Sequence, residues 1–200
     1  SRVAHLMTLF APWSWFSEFT MLILDGVTLT ISRIRIVMNN IDNFFTKDAA
    51  TFSRSYIEYL RAVLDRLDLQ EIASFIETLL DARKKEATVF FIGNGGSAST
   101  ASHFANDLAI GTNDYEKPFR VISLADNVSV LTALGNDYGF EEIFERQLRV
   151  YGKSDDVLVA ISASGNSPNL LKAFEFARTS GIKTVAITAF DGGELKLMAD

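Results

Sequence analysis

Apolar residues recur every three or four positions in two stretches that open the regular part of the chain. Ala49–Leu67 and Leu69–Lys85 both show this spacing, which is typical of amphipathic helices. Asp68 stands just before the second stretch, where a carboxylate can accept hydrogen bonds from the free N–H groups of a first helical turn. The pattern therefore predicts an N-terminal helical pair.

Four short apolar runs follow, rich in β-branched and aromatic residues. Each has the length of a buried strand, and the first of them stops at a glycine. The predicted strands are Thr88–Ile92, Phe119–Leu124, Asp156–Ser162 and Thr184–Thr188.

Two further stretches with helical spacing lie between these strands. Ser97–Ile110 predicts a helix ended by Gly111, and Pro168–Thr179 predicts one ended by Gly181. Pro168 suits a first helical turn, because its missing N–H would have no intrahelical partner there. Strand–helix–strand units of this size imply right-handed crossovers and a parallel sheet covered on both faces. The predicted fold class is α/β, a doubly wound parallel sheet behind the helical pair.

The first 37 residues differ from the rest of the chain, since Ser1–Val37 contains both tryptophans and many large apolar side chains. A membrane-spanning helix needs roughly 20 consecutive apolar residues. Glu18 and Asp25 interrupt the run and Pro12 would kink it, so we predict no span. The favoured interpretation is that Met38 is the natural start and that the extension lies outside the domain. The alternative is that this segment tethers the domain to a membrane.

Composition narrows the class of protein. Two hundred residues, 48% of them hydrophobic, are enough to bury the core of one α/β domain. The net charge of −6 argues against nucleic acid as a partner, because phosphate backbones favour basic surfaces. The chain has no cysteine, which excludes disulfides and thiolate metal sites. The lack of cysteine does not identify the redox compartment, and nothing in the composition bars a cytoplasmic enzyme. We expect a cytoplasmic protein that binds neither nucleic acid nor membrane.

Two loops follow predicted strands at the edge where doubly wound sheets bind ligands. The glycine loop, Gly93–Ser99, lets the backbone approach a ligand closely and leads into the N-terminus of a helix, which favours anions. The serine loop, Ser162–Ser167, offers three hydroxyl groups at the start of another helix. Neither loop matches a Walker A or a dinucleotide fingerprint. Each alone could be a simple turn, but two at equivalent positions favour a phosphate site.

His103 and Asp107 lie four residues apart on the helix that follows the glycine loop. Residues at this spacing share a helix face, so both could bind one zinc ion. They could equally be ordinary surface residues. Their place about one turn past the glycine loop favours the functional interpretation.

Three motifs together resemble one family. Gly93–Ser97, Gly135–Phe140 and Ile161–Ser167 look like the corresponding segments of the phosphoheptose isomerases of the SIS-domain family, and the similarity runs from about Ile41 to Asp200. The resemblance implies a flavodoxin-like sheet of five strands and a homotetramer whose active sites are shared between subunits. It also implies conversion of sedoheptulose 7-phosphate to D-glycero-D-manno-heptose 7-phosphate.

The resemblance implies a role for each matching residue. Four serines would hold the phosphate: Ser97, Ser162, Ser164 and Ser167. The sugar would be lined by Asn94, Gly95, Gly96, Asn136 and Asp137, and Ala163 also belongs to the substrate site. On the metal-binding helix, Asp107 would be the catalytic base, with His103 as its proton partner or as a zinc ligand beside it.

Two departures from the family limit what the resemblance implies. The family usually carries Glu where this chain has Asp107, and the shorter side chain reaches roughly 1.5 Å less far. The family's fifth strand and last helix, with a catalytic histidine, would lie beyond Asp200. We therefore expect Ser1–Asp200 to be a fragment that is inactive alone. A non-catalytic alternative stays open, namely a sugar-phosphate sensor or a tetrameric adaptor that binds a replication initiator.

Overall fold

The computed structural model describes residues 44–200. The predictions for Ser1–Val37 lie outside the described residues and stay predictions. The chain divides between Leu67 and Asp68 into two units, and each is described by itself.

The first unit contains helix α1, Ala49–Leu64. Its N-terminus is capped by Asp48, whose carboxylate accepts a hydrogen bond from Thr51 N at 2.8 Å. The sequence predicted a helix as far as Leu67, but α1 ends three residues earlier. The reason is a tightening of the last turn, where Leu67 N donates to Leu64 O, only three residues back.

The second unit opens with α2, Leu69–Lys84, and confirms the second member of the predicted helical pair. Asp68 caps it as predicted, accepting a hydrogen bond from Gln70 N at 2.8 Å. The face of α2 that carries Thr78, Leu79 and Ala82 is buried.

The four predicted strands form one parallel sheet. They are β1 Thr88–Gly93, β2 Arg120–Ser123, β3 Val157–Ser162 and β4 Lys183–Thr188, in the spatial order β2-β1-β3-β4. Sequential neighbours therefore do not always pair: β1 lies between β2 and β3. This order is that of a doubly wound sheet and confirms the predicted fold class.

Five α-helices and one 3-10 turn of the second unit follow or connect these strands. They are α3 Gly96–Asn106, α4 Val128–Asp137, α5 Glu145–Tyr151, α6 Pro168–Thr179, α7 Gly193–Met198 and a 3-10 turn, Phe140–Glu142. The predicted helix Ser97–Ile110 is α3 continued by a π-helical turn, Asp107–Gly111. The sequence pattern did not predict α4 or α5.

Side chains from the sheet pack on both of its faces. Phe90 and Leu158 belong to a core that also includes Phe174 of α6. Phe91 and Val159 belong to a second core on the opposite face, with side chains of α2 and α3. Both central strands are thus buried on two sides, which explains why their sequences are apolar without alternation.

Asp156, predicted as the first residue of the third strand, precedes it instead. Its buried carboxylate accepts hydrogen bonds from Thr88 N at 2.7 Å and from Lys153 N at 2.8 Å. The side chain thus takes the place of a backbone partner at the N-terminal end of β1. The third strand, β3, therefore begins one residue later than predicted, at Val157.

The chain beyond α7 returns to the outer edge of β4. Asp200 N donates to Thr184 O at 3.1 Å, and Thr184 N donates to the Asp200 carboxylate at 2.8 Å. These bonds satisfy backbone groups at the start of a strand that is otherwise at the edge of the sheet. Within residues 44–200, no helix combines the length and the apolar character that a membrane span requires.

Candidate active site

The glycine loop and the serine loop lie side by side at the carboxyl edge of the sheet. Gly93, the last residue of β1, pairs with Ile161 of the neighbouring strand β3. The two loops therefore leave adjacent strands at the same level. This is the arrangement that the sequence predicted, and it brings the donors of both loops to one side of the molecule.

The glycine loop makes a tight turn before α3. Ser97 N donates to Asn94 O at 3.0 Å, and Gly95 has a φ of +55°, a backbone conformation that glycine adopts without strain. A Cβ on Gly93 would lie 2.7 Å from the carbonyl group of Ser97, so the close approach of strand and helix needs glycine there too. The turn leaves Gly95 and Gly96 exposed, where a ligand could approach the backbone.

The serines of the serine loop have different surroundings. Ser162 is buried and accepts a hydrogen bond from Gly165 N at 3.1 Å, so its hydroxyl shapes the turn. Ser164 is exposed and accepts a weak bond from Asn166 N at 3.3 Å. Ser167 precedes α6, and its hydroxyl makes no capping bond. Ser164 and Ser167 are therefore the hydroxyls best placed to donate to a ligand.

Gly192 and the first turn of α7 contact and support the serine loop, which nothing in the sequence pattern indicated. Leu195 N donates to Gly165 O at 3.0 Å, and Glu194 N donates to Asn166 Oδ1 at 3.0 Å. Gly165 has a φ of +65°, and a Cβ there would lie 1.9 Å from Gly192 O. The loop is thus held by direct backbone contact between two glycines.

A pair of side-chain amides joins the two loops. Asn94 Nδ2 donates to Asn169 Oδ1 at 2.9 Å, and Asn169 Nδ2 donates to Asn94 Oδ1 at 2.8 Å. Asn94 was predicted to line the sugar, whereas no sequence signal pointed to Asn169. The pair links the start of the glycine loop to the first turn of α6, which follows the serine loop.

His103 and Asp107 lie together on α3 and its π-helical extension, as the spacing predicted. His103 Nε2 is 3.3 Å from Asp107 Oδ2, and both side chains are exposed. A zinc site normally takes three or four protein ligands. Among residues 44–200 no further histidine or carboxylate lies close enough to these two to serve as a third zinc ligand. The described donors fit only part of a zinc site.

A second carboxylate lies near the same edge of the sheet. Ser102 Oγ on α3 donates to Asp126 Oδ1, and Asp126 follows the end of β2. Ser102 Oγ is also 3.5 Å from the hydroxyl of buried Ser123. The sequence prediction did not include Asp126, although a carboxylate three residues after a strand end satisfies the rule that identified the two loops.

Asn136 and Asp137, predicted to line the sugar, end α4. Asn136 Nδ2 donates to Asp137 Oδ1 at 2.8 Å, and both residues are exposed. Within the described part of the chain they make no hydrogen bond or ion pair to either loop. Glu142 lies a few residues after Asp137, and its Oε1 accepts a hydrogen bond from Lys172 Nζ of α6 at 2.6 Å. This hydrogen bond lowers the pKa of the Glu142 carboxyl below its ordinary value. The ion pair between Lys172 and Glu142 thus connects the segment after α4 with α6, the helix that follows the serine loop.

Comparisons with known proteins agree with this geometry. The family described as SIS domain matches residues 54–189. The phosphoheptose isomerase of Helicobacter pylori strain P12 is 39% identical over 160 residues, which are 80% of this chain and 81% of that protein. The phosphoheptose isomerase of Geobacter sp. strain M21 is 39% identical over 147 residues, 74% of this chain and 76% of its own length.

Solved structures show the same similarity. The phosphoheptose isomerase of Neisseria gonorrhoeae superposes with a TM-score of 0.67 and 33% identity, over 74% of this chain and 78% of that one. The phosphoheptose isomerase of Francisella tularensis gives the same TM-score with 31% identity, over 82% of both chains.

Proposed function

Because this chain belongs to the SIS-domain family, and within it to the phosphoheptose isomerases, we propose that it interconverts sedoheptulose 7-phosphate and D-glycero-D-manno-heptose 7-phosphate. The observation that carries this function is the pair of adjacent loops at the carboxyl edge of β1 and β3, one rich in glycine and one in serine. The chain is accordingly an isomerase that acts on a phosphorylated sugar.

The serine loop binds the phosphate in this proposal. Ser164 and Ser167 donate hydroxyl hydrogen bonds to its oxygens, and the N-terminus of the 12-residue helix α6 adds its positive dipole. Ser97 contributes from the start of α3. Several neutral donors can surround a phosphate without a buried cation, and the contacts are remote from the reacting carbons, so their binding energy positions the other end of the sugar.

The exchange of aldose and ketose requires a proton to move between neighbouring carbons. A carboxylate removes the proton from the carbon beside the carbonyl, an acid protonates the carbonyl oxygen, and the resulting enediol collapses in the other direction. Asp107 is the proposed base. His103, whose Nε2 is 3.3 Å from Asp107 Oδ2, is its proposed proton partner.

The family resemblance also implies a zinc ion, for which the described residues offer two candidate ligands. His103 and Asp107 are suitable donors for it, and a zinc ion bound there would polarise the substrate's oxygen atoms. Within residues 44–200 these two donors have no further ligand beside them. No step of the proposed mechanism depends on the metal.

Replacing Ser164 with Ala tests the phosphate assignment. Hydrogen bonds to charged groups contribute about 1.5–3 kcal/mol, so we expect roughly ten- to hundredfold weaker binding of sedoheptulose 7-phosphate. Calorimetry on the full-length protein measures this affinity. The matched control is Ser74→Ala, which replaces an exposed serine of α2. Unchanged affinity in the Ser164→Ala protein would mean that the phosphate binds elsewhere.

One observation favours the non-catalytic alternative, namely that Asp107 is shorter than the glutamate usual in the family. A sensor or adaptor would bind the sugar phosphate without converting it. Turnover of sedoheptulose 7-phosphate by the full-length protein, followed beside the calorimetry, separates the two functions. Tight binding with no conversion would replace the isomerase with the sensor or adaptor.

We also propose the homotetramer that the family resemblance implies. Four apolar residues of α2 form a stripe that is exposed on this chain: Leu69, Ile72, Ile76 and Leu80. Their spacing of three and four residues is that of one helix face. Exposed apolar surface of this kind marks an interface, and a second copy of the chain is the partner that the resemblance names.

Replacing Ile76 with Asp tests the assembly. A charge in the middle of an apolar interface loses its hydration without gaining a partner, so we expect the tetramer to dissociate into smaller species. Light scattering after size-exclusion chromatography measures the mass. Ser74→Asp places the same charge on the same helix outside the stripe and should leave the mass unchanged. If both variants keep the wild-type mass, α2 does not form the interface.

A further inference from the structure

Asn169 is a buried amide whose partner lies in the candidate active site. It occupies the second position of α6, and only 2% of its surface is exposed. Buried amide groups need hydrogen-bond partners, and Asn94 supplies both a donor, at 2.9 Å, and an acceptor, at 2.8 Å. Because the Asn169 side chain is buried and both of its hydrogen bonds go to Asn94, which is partly exposed, its amide group meets the candidate site through Asn94.

The amide pair restricts how Asn94 can meet a ligand. A side-chain amide has two N–H groups and an oxygen with two lone pairs. The bonds to Asn169 use one N–H and one lone pair of Asn94. The remaining N–H and lone pair then have a single orientation, set by the plane of the paired amides.

The pair also bridges the two ends of the site. Asn94 directly follows β1, and Asn169 lies two residues past Ser167, the last residue of the serine loop. The two residues are 75 positions apart in the chain, so no local structure holds them together. The amide pair is therefore a side-chain link between the two loops, in addition to the pairing of β1 with β3.

We propose that Asn169 is a positioning residue, which orients the Asn94 amide toward a hydroxyl of the sugar and sets the spacing between the sugar end and the phosphate end of the site. The proposal rests on the proposed function, since it takes the serine loop as the phosphate site and Asn94 as a sugar contact. The proposal predicts that Asn169 contributes to the binding of a sugar phosphate but not to the binding of inorganic phosphate.

A double-mutant cycle on the full-length protein tests this role. Calorimetry with sedoheptulose 7-phosphate and with inorganic phosphate would compare Asn94→Ala, Asn169→Ala and the double variant with wild type. We expect Asn169→Ala to weaken sugar-phosphate binding by about tenfold, as for the loss of one neutral hydrogen bond, and phosphate binding by less than about twofold. In the Asn94→Ala protein, the same change should add less than about twofold, because its effect acts through Asn94.

Two results would overturn the proposal. One is additive losses from the two single variants, which would mean that Asn169 acts independently of Asn94. The other is an equal loss for phosphate and for sugar phosphate, which would mean that the change disrupts the loops as a whole.

A measurement without ligand separates this proposal from the proposed function. The side-chain NH2 of Asn94 should exchange its hydrogens slowly in the wild-type protein and faster in Asn169→Ala, as followed by nuclear magnetic resonance. Unchanged exchange would show that Asn169 does not hold the amide. If wild type binds neither ligand, the proposed function fails, and the exchange rates still decide whether the amide pair exists.

Discussion

Replacing Asp107 with Asn is expected to lower the kcat of the full-length protein by about two to four orders of magnitude, the usual contribution of a general base. Asparagine keeps the size of the side chain but cannot take up a proton. Asp107 is exposed, and within the described residues its side chain makes polar contacts only with His103 and with its neighbour Asn106. The free energy of unfolding should therefore hardly change. The affinity for sedoheptulose 7-phosphate should stay within about threefold, since the phosphate contacts lie on other residues.

Asp107→Glu is the matched variant for this test. It restores the residue usual in the family and keeps the carboxylate, which then reaches roughly 1.5 Å further. We expect it to retain turnover within about tenfold of wild type, because misplacement of a base lowers the rate less than its removal. Conversion of sedoheptulose 7-phosphate at saturating substrate measures all three proteins. If Asp107→Asn turns over as fast as wild type, the base is another residue.

Replacing Gly165 with Ala is expected to destabilise the second unit by roughly 3 kcal/mol or more. Two effects add. The φ of +65° strains any residue with a Cβ, and that Cβ would lie 1.9 Å from Gly192 O, so backbone must move. Such a loss corresponds to a fall in melting temperature of about 6–12 °C for a chain of this size. Phosphate binding should weaken as well, since the serine loop cannot keep its shape.

Gly96→Ala is the control for this substitution. Gly96 opens α3, and a Cβ built there meets no heavy atom within 4 Å. Alanine favours a helix over glycine by about 1 kcal/mol, so this variant should melt at or slightly above the wild-type temperature. Thermal unfolding followed by circular dichroism compares the two. Equal melting temperatures for both variants would show that the backbone contact at Gly165 does not limit stability.

The sheet could be predicted from the sequence because its strands are short, apolar and separated by clear breaks. The central strands β1 and β3 are buried on both faces, so their apolar runs have sharp ends at Gly93 and Ser162. The helix α5 could not be predicted in the same way. It has only seven residues and buries Glu145 and Gln147 beside Leu148, so its inward face does not stand out as apolar in the sequence.

The candidate site was predictable only as far as its local chemistry. Glycines and serines after strand ends identified both loops, and a spacing of four placed His103 beside Asp107. The contacts that hold the loops could not be predicted, because they join distant parts of the chain. Asn94 and Asn169 are 75 positions apart, and the segment that supports Gly165 begins with Gly192, an ordinary turn residue in the sequence.

Transplantation of the serine loop into another protein would need two pieces of this chain. Gly165 meets Gly192 backbone to backbone, and a Cβ on Gly193 would lie 2.4 Å from Ser164 O. A graft of residues 162–167 alone would leave the loop without this support and without the N–H group of Leu195 that binds Gly165 O. In a chimera with a relative, residues 162–167 and 192–195 should therefore be exchanged together.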